Sequence, residues 1–537
     1  MHSKFWLFFR HVNSKYYFDY LAVFFIALIL FGWLQAGPTL AEPDSFYHAK
    51  MAVIMSEGKV LQQFPWLQET NLPEQYVNHH FLYHALLVPF VNMFDPLVGV
   101  KVATVLFASL LVLSIYWLFK KFEVKYPLVF VLILLTISPW LFRASLVKAP
   151  AISFIFLLCA FYCLAHQHWL RLFLLSFAAV WLYGSWPVIL VMTITYLIVY
   201  WLLEKYRQEE SIWHKLKNIF QLNKKVPWRG LLYVVGGLTA GLVINPYFPQ
   251  NLKFYYQQII DIALFNYQHV ISVGSEWYPY DIYKLIADAP LIMSLLVVSV
   301  LLFILTVKKQ SIYSWTWGLL AVAFFILTLK SRRQVEFFTP LTVIFAGFTF
   351  NDYFRKLSRL HLQLLLNVAW QAIFGLALIL VGLIFIFKIP GDLNRAKSYL
   401  DNGKPLTYYQ QASAWLTANS PKQAVVFNAN WSDFPALFYH NSHNYYLTGL
   451  DPTFMYQLNP VKYQQYVDIT LGKVQQNLKK IIQDDFKADY VLFDHEHWLL
   501  EKQLKYSGDF IKVYEDSEAK IYQVRSAPVL LPSSSGD

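Results

Sequence analysis

The stretch YFDYLAVFFIALILFGWLQAGPTLAEPDSFYH, residues 17–48, joins a long apolar segment to an acidic and aromatic one. Its first part, residues 17–37, is long enough to cross a bilayer, whose core takes about 20 apolar residues of a helix. Asp44 follows shortly after the end of this predicted span. Because an ionisable side chain close to lipid is costly, the position of Asp44 predicts a residue with a function.

The composition of the whole chain is that of a polytopic membrane protein. Of its 537 residues, 57% are hydrophobic and only 14% are charged, and the mean hydropathy is +0.39. We therefore expect the net charge of +11 to lie beside the spans, and we expect no nucleic-acid partner. The two cysteines, Cys159 and Cys163, lie in one apolar segment and predict neither a disulfide framework nor a metal site.

The hydropathy pattern predicts about eleven membrane spans. They lie near residues 17–37, 98–119, 127–143, 149–165, 170–185, 187–203, 230–247, 289–307, 313–330, 337–350 and 364–388. Lysine and arginine are concentrated in alternate loops, which predicts a cytoplasmic N-terminus. Since the number of spans is odd, the C-terminal part is expected outside, in a multi-pass protein of the plasma (inner) membrane.

The predicted fold class is a polytopic α-helical membrane protein with a C-terminal extracytoplasmic α/β domain. The two domains are residues 1–388, with long outer loops at 38–94 and 246–288, and residues 389–537. In the second domain the apolar runs are short, and residues 424–427, 489–493 and 519–524 read as strands. Residues 411–418 and 463–484 read as helices.

The ionisable residues are concentrated in the predicted outer loops rather than in the spans. The two long loops carry the acids Asp44 and Glu276, with His48 close to the first of them. Shorter outer turns carry the cations Arg143, Lys148, Arg332 and Arg333. Acids and cations on one face of a membrane suit a substrate that has a phosphate and a group to be deprotonated or polarised.

Four short motifs, in this order, make the chain similar to a known family. It resembles the GT-C membrane glycosyltransferases and, within them, the catalytic subunit of oligosaccharyltransferase. The motifs are Asp44-Ser45-Phe46-Tyr47-His48, Ser272-Val273-Gly274-Ser275-Glu276, the pair Arg332-Arg333, and Asn430-Trp431-Ser432-Asp433. They resemble the family's acid with aromatics in the first outer loop, its Ser-Val-x-Glu motif, the arginine at the outer end of a late span, and its Trp-Trp-Asp motif.

The resemblance implies transfer of a sugar or oligosaccharide from a polyprenyl-(di)phosphate donor to a protein or glycan acceptor on the outer face. It implies catalytic roles for Asp44 and Glu276. The residues implied for the donor phosphate are Arg332, Arg333, Arg143 and Lys148. Those implied for the acceptor are Trp431 and Asp433, and those implied for a metal ion are Asp44, Glu276 and His48.

The chain departs from the family in its second outer loop, where the family has an acidic metal-binding pair. The matching turn, residues 140–148, reads WLFRASLVK and contains no acid. The loss of two carboxylates weakens the expectation of Mn or Mg. Metal independence stays open, with Arg143 and Lys148 neutralising the lipid phosphate directly, as in metal-independent members of the superfamily.

Each candidate residue also has a purely structural interpretation. Asp44 suits a helix N-cap, Glu276 a solvated loop, and Arg332 and Arg333 the end of a span. Trp431 and its neighbours suit a domain core.

Other functions stay open as well. The same fold with Ser/Thr, a lipid or an envelope glycan as acceptor is the nearest alternative, and the serine in place of the second tryptophan favours it. A non-catalytic transporter or assembly protein is more distant, because transporters place ionisable groups within their spans.

Overall fold

The computed structural model describes residues 17–208, 226–265, 267–355, 388–474 and 476–525. The described residues fold as two compact units. The first unit draws on Met1–Glu42, His79–Ile260 and Ser275–Gly403, and the second on Pro43–Asn78, Asp261–Gly274 and Lys404–Asp537. The sequence predicts a membrane domain up to residue 388 and an outer domain after it. This division depends on the position of a bilayer, so it stays a prediction.

The first unit is helical. Its α-helices of seven or more described residues are Phe18–Leu34, Phe81–Met93, Pro96–Lys121, Pro127–Leu134, Ser138–Ala144, Pro150–Ala165, Trp169–Leu182, Pro187–Gln208, Arg229–Val243, Gln250–Tyr256, Ile282–Asp288, Pro290–Leu305, Ile312–Lys330 and Val335–Arg355, with helical residues also at 388–401. Many begin with proline, whose fixed φ and missing N–H suit the first turn. The Phe81–Met93 helix lies within the predicted outer loop 38–94; its apolar run is short of a span and contains Pro89.

The apolar helices fit a membrane protein. Within the described ranges, three are long and apolar enough to cross a bilayer: Pro96–Lys121, Pro187–Lys205 and Ile312–Lys330. Two bent pairs raise this to five, namely Pro127–Leu134 with Ser138–Ala144, bent by 81°, and Ile282–Asp288 with Pro290–Leu305, bent by 105°. The count of about eleven stays a prediction, and its last span, 364–388, lies outside the described residues except for Lys388.

Close helix packing in the first unit depends on glycine. The Arg229–Val243 helix packs against Trp169–Leu182 through Gly237 and Gly241, which are four residues apart. A Cβ at Gly237 would lie 2.4 Å from the backbone oxygen of Phe173. Small residues at this spacing allow helix backbones to approach closely, as in membrane helix pairs.

Several helices of the first unit expose large apolar residues on one side. Ile29, Leu232 and Leu305 are all strongly exposed in the folded chain. In contrast, Trp140 and Trp317 are fully buried, and the ring of Trp317 lies 4.5 Å from that of Phe161. An apolar exterior around an aromatic interior is what lipid-facing helices require.

The second unit contains a five-stranded sheet. Its strands are β1 Val425–Asn428, β2 Tyr445–Tyr446, β3 Ala488–Phe493, β4 Phe510–Glu515 and β5 Lys520–Val524, in the order β2-β1-β3-β5-β4. The strands β2, β1 and β3 run parallel, whereas β5 pairs antiparallel with both β3 and β4. The three strands expected near 424–427, 489–493 and 519–524 are present within one residue of their predicted starts.

Helices surround this sheet. They are Asp44–Ser56, Leu72–Gln75, Gln410–Asn419, Phe434–His440, Pro452–Leu458, Pro460–Thr470, Leu478–Lys480 and Trp498–Ser507. The single helix predicted over 463–484 is wrong, because it is interrupted after Thr470. Gly472 has a φ of +66°, a left-handed conformation that ends a helix, and a Cβ there would lie 2.7 Å from Leu499.

A charge cluster as the candidate active site

Six ionisable side chains from four segments of the chain meet in the first unit. They are the cations Arg143, Lys148 and Arg333 and the carboxylates Glu42, Glu276 and Glu336, joined by ion pairs. We call them the charge cluster. Three positive and three negative charges balance, so a mostly buried site is formed without net charge.

Glu276 lies at the centre of the charge cluster. Its Oε2 is 2.5 Å from Nη1 of Arg143 and 3.5 Å from Nζ of Lys148, and its Oε1 is 2.9 Å from Nη1 of Arg333. Burial alone would raise the pKa of Glu276, but the charges of Arg333, Lys148 and Arg143 hold that pKa well below its ordinary value. Glu276 is therefore a carboxylate at neutral pH.

Arg143 is the most enclosed cation of the charge cluster, with a side chain only 6% exposed. Its Nε and Nη2 donate to one oxygen of Glu336 at 3.1 and 2.8 Å, and its Nη1 reaches Glu42 at 3.5 Å. The short helix that carries it, Ser138–Ala144, is anchored by the fully buried Trp140. Arg143 thus holds three carboxylates together.

The loop of Glu276 is tied to the turn that carries the arginines. Glu276 lies in a 3₁₀ turn, Ser275–Trp277. The hydroxyl of Ser331 donates to the Glu276 carbonyl at 3.0 Å, and the N–H of Arg332 donates to the Tyr278 carbonyl at 3.0 Å. These hydrogen bonds to backbone carbonyls fix the loop of Glu276 relative to the end of the Ile312–Lys330 helix.

The two adjacent arginines have different surroundings. Arg333 enters the charge cluster, where it donates to Glu276 and to the hydroxyl of Tyr183 and lies 4.8 Å from the ring centre of Trp277. Arg332 is exposed, and its Nε donates to the carbonyl of Pro279 at 3.1 Å. The sequence did not distinguish the two arginines as candidates for the donor phosphate. In the structure, Arg333 is the one that contacts Glu276.

A small cavity borders the charge cluster. Arg143, Lys148 and Glu336 form its polar side, and Trp140 and Phe154 contribute to its apolar side. Its volume of about 10 Å³ corresponds to roughly one water molecule. The site is therefore tightly packed on this side.

Asp44 and His48 belong to the second unit. The helix begins at Asp44 after Pro43, so Asp44 stands in the first turn and not at the N-cap. The aromatic residues that follow it pack within this unit: Phe46 lies 5.9 Å from Tyr439, measured between ring centres. The aromatic part of this motif therefore anchors the helix that carries Asp44.

Asp433 also belongs to the second unit and is buried. Its two oxygens accept hydrogen bonds from Tyr409 at 2.9 Å and from Tyr408 at 3.5 Å. Burial raises the pKa of Asp433 to about 7. Trp431, two residues earlier, is half-buried in a 3₁₀ turn. This carboxyl group can therefore donate or accept a hydrogen bond near neutral pH.

Glu42, Glu336 and Tyr183, which complete the surroundings of Glu276 and Arg333, had no role predicted from the sequence. A signal for the two glutamates was present. Both lie in predicted outer loops that also carry cations or Asp44. Three buried cations require acids nearby, and Glu42 and Glu336 lie close in sequence to Asp44 and Arg333.

The charge cluster does not fit the Mn or Mg ion considered from the sequence. Hard divalent cations take carboxylate oxygens at about 2.0–2.6 Å. Here the carboxylates of Glu42, Glu276 and Glu336 are each in an ion pair with Arg143. A divalent cation among them would face three positive side chains, so no reaction step is derived through a metal ion.

No family model and no curated protein sequence matches the chain, but solved structures match it. The Archaeoglobus fulgidus oligosaccharyltransferase in its apo form has a TM-score of 0.62 and 11% identity, over 91% of this chain and 72% of that chain. The oligosaccharyltransferase AglB from Archaeoglobus fulgidus, in complex with an inhibitory peptide and a dolichol-phosphate, has a TM-score of 0.59 and 13% identity, over 97% and 75%. ArnT from Cupriavidus metallidurans, bound to undecaprenyl phosphate, has a TM-score of 0.52 and 14% identity, over 95% and 98%.

Sequence identities of 11–14% to these solved structures show that the chain shares their fold, and they show nothing about its substrate. The match extends over nearly the whole of this chain and, for ArnT, over nearly the whole of the other chain as well. The resemblance predicted from the motifs, to the GT-C membrane glycosyltransferases and within them to oligosaccharyltransferase, is thus confirmed at the level of the fold.

Proposed function

We propose that the chain is an integral-membrane glycosyltransferase that moves a sugar or oligosaccharide from a polyprenyl-(di)phosphate donor to an acceptor outside the membrane. One observation carries the proposal: Arg333 and Lys148 lie beside the ionised Glu276, in a fold shared with proteins solved with dolichol-phosphate and undecaprenyl phosphate. Cations beside a fixed carboxylate suit both the departing phosphate and the attacking acceptor.

Arg333 is the first candidate for the donor phosphate. Its side chain is 17% exposed, compared with 6% for Arg143, so it has more room to meet a ligand. Lys148 is the second candidate, at the small cavity. In the reaction the bond from the anomeric carbon to the phosphate oxygen breaks, and the phosphate leaves with the electron pair. Stabilising this charge is the larger contribution, because one such donor is typically worth about 2.7–4 kcal/mol.

The acceptor side of the reaction is assigned to Asp44 and Glu276. The nucleophile of the acceptor attacks the anomeric carbon from the face opposite the phosphate, with inversion, and its proton passes to a carboxylate. Because its pKa is held low, Glu276 is a weak base, and it suits orientation of the acceptor. Asp44 is then the proton acceptor.

The topology that this function requires is the one predicted from the sequence. We propose about eleven spans, a cytoplasmic N-terminus and an outer domain from residue 389, so that the transfer takes place on the outer face of the plasma (inner) membrane. Trp431 and Asp433 are proposed to contact the acceptor. The serine at position 432 supports acceptors other than an asparagine sequon, such as Ser/Thr, a lipid or an envelope glycan.

A transfer assay with the purified chain in lipid vesicles tests the proposal. The adjacent arginines provide a matched pair of variants, since only Arg333 donates to Glu276. We expect Arg333→Gln to lower the turnover of a polyprenyl-phosphate-linked sugar by about 10²–10³-fold, and Arg332→Gln to leave it near the wild-type value. Equal turnover in the two variants would refute the assignment of the phosphate to Arg333.

A further inference from the structure

We infer that Arg143 is a built-in cation that takes the place of a divalent metal ion among Glu42, Glu276 and Glu336. The inference rests on the proposed function, because it states how that same site is held together. Arg143 is then a positioning residue. In this inference it acts through Glu276, in place of the direct contact with the donor phosphate that was expected from the sequence.

The geometry around Arg143 is the first support. Three carboxylates from three separate segments converge on its guanidinium group, at 2.5 Å for Glu276, 2.8 Å for Glu336 and 3.5 Å for Glu42. Three carboxylates around one centre are the ligand set that hard divalent cations prefer. A planar guanidinium with five N–H donors binds the same oxygens in a fixed arrangement.

The charges are the second support. The charge cluster is neutral only when Arg143 is counted, and Lys148 and Arg333 also contact Glu276. A divalent cation added to this set would be repelled by three cations in a poorly solvated site. If a divalent cation replaced Arg143, the guanidinium would have to leave its surroundings.

The burial of Arg143 makes such an exchange unfavourable. The side chains of Arg143 and Glu336 are only 6% and 7% exposed. The Arg143 helix is anchored by the fully buried Trp140, whose ring lies 6.2 Å from that of Phe31. A guanidinium in this position is a permanent part of the fold, whereas a metal ion exchanges with solution.

Mn²⁺ binding, followed by electron paramagnetic resonance on the purified full-length chain in detergent, tests the inference. The wild-type chain and Glu276→Gln should bind Mn²⁺ equally, because Glu276 is not a ligand when Arg143 is present. Arg143→Met should gain a Mn²⁺ site that the further change Glu276→Gln removes. A wild-type Mn²⁺ site that Glu276→Gln abolishes would overturn the inference, as would an Arg143→Met chain that folds and gains no such site.

A second variant covers the case in which Arg143→Met does not fold. Arg143→Lys keeps a cation, and it should gain no Mn²⁺ site that depends on Glu276. Gain of such a site in Arg143→Lys would overturn the inference, because lysine would then fail to do what any built-in cation should do.

Transfer activity separates this inference from the proposed function. Wild-type turnover should be unchanged by EDTA. If transfer occurs but EDTA abolishes it and Mn²⁺ restores it, the inference is wrong and the function stands. If no transfer occurs while the Mn²⁺ results are as expected, the function fails and the built-in cation stands.

Discussion

Glu276 and Arg333 form an ion pair in which a guanidinium nitrogen lies 2.9 Å from a carboxylate oxygen. The pair connects a 3₁₀ turn to the start of the Val335–Arg355 helix, two segments separated by a long apolar helical region. Because the hydroxyl of Ser331 and the N–H of Arg332 donate to the carbonyls of Glu276 and Tyr278, the two side chains are held at a fixed distance. A fixed carboxylate beside a cation is what the proposed transfer needs.

Replacement of Asp44 by asparagine should strongly lower turnover and leave the fold intact. Asparagine retains the size of the side chain but cannot take the acceptor's proton, and general base catalysis typically contributes about 10²–10⁴-fold. The measurement is turnover in vesicles together with the melting temperature. Glu57→Gln just beyond the same helix, where Glu57 pairs with the exposed Lys59, is the control and should retain activity. Wild-type turnover in Asp44→Asn would remove Asp44 from the mechanism.

Replacement of Glu336 by glutamine should destabilise the chain. It removes the carboxylate that accepts two hydrogen bonds from Arg143 in a buried site, and breaking a buried ion pair typically costs about 3–5 kcal/mol. Glu123 forms a comparable pair with Arg355 at 2.9 Å, but both side chains are well exposed. Glu123→Gln should therefore change stability by only about 0–1 kcal/mol. Thermal unfolding in detergent would compare the two variants, and equal effects would contradict a buried role for Glu336.

The stability of the second unit should depend on pH through Asp433. Its pKa is raised from 3.8 to about 7 by burial, so the folded state binds this proton more tightly than the unfolded state. Its contribution is fully present below about pH 3.8 and is lost as pH rises through 7. The stability of the wild type relative to Asp433→Asn should thus decrease between pH 5 and pH 8. Thermal unfolding of both proteins across this range checks it, and parallel pH profiles would show that Asp433 titrates normally.

Replacement of Gly237 by alanine should weaken the packing of the Arg229–Val243 helix. A Cβ there would lie 2.4 Å from the Phe173 backbone oxygen, and overpacking typically costs about 1–3 kcal/mol. The neighbouring Gly236 offers a control, because its Cβ would meet only the Phe173 ring at 3.6 Å. Gly236→Ala should be neutral or slightly stabilising, since alanine favours helices over glycine by about 0.8–1.0 kcal/mol. If the two variants melt at the same temperature, the close approach of these helices is not as described.

Much of the secondary structure follows from local sequence. The break between Pro127–Leu134 and Ser138–Ala144 lies just before Pro139, because proline cannot continue a preceding helix. The strands β1, β3 and β5 follow from short β-branched and aromatic runs. In contrast, the interruption after Thr470 accompanies the close approach of Gly472 to Leu499. This contact is between distant residues, so local sequence does not predict it.

The charge cluster was predicted only in part. The sequence predicts that four residues of the cluster lie in loops on the same side of the membrane: Arg143, Lys148, Glu276 and Arg333. This prediction follows from the hydropathy, which gives the spans, and from the loop charge, which gives their orientation. The pairing of Arg143 with Glu336, 193 residues away, depends on how the helices pack. The different surroundings of Arg332 and Arg333 also depend on tertiary contacts, because both residues have the same chemistry and adjacent positions.

The proposed function is tested most directly by a cryo-electron microscopy structure of the chain in a lipid nanodisc with undecaprenyl phosphate. We expect density for the phosphate in contact with the side chain of Arg333 or Lys148, beside the carboxylate of Glu276. Phosphate density bound elsewhere on the chain, with the charge cluster left without a ligand, would contradict the proposal that this cluster is the site of glycosyl transfer.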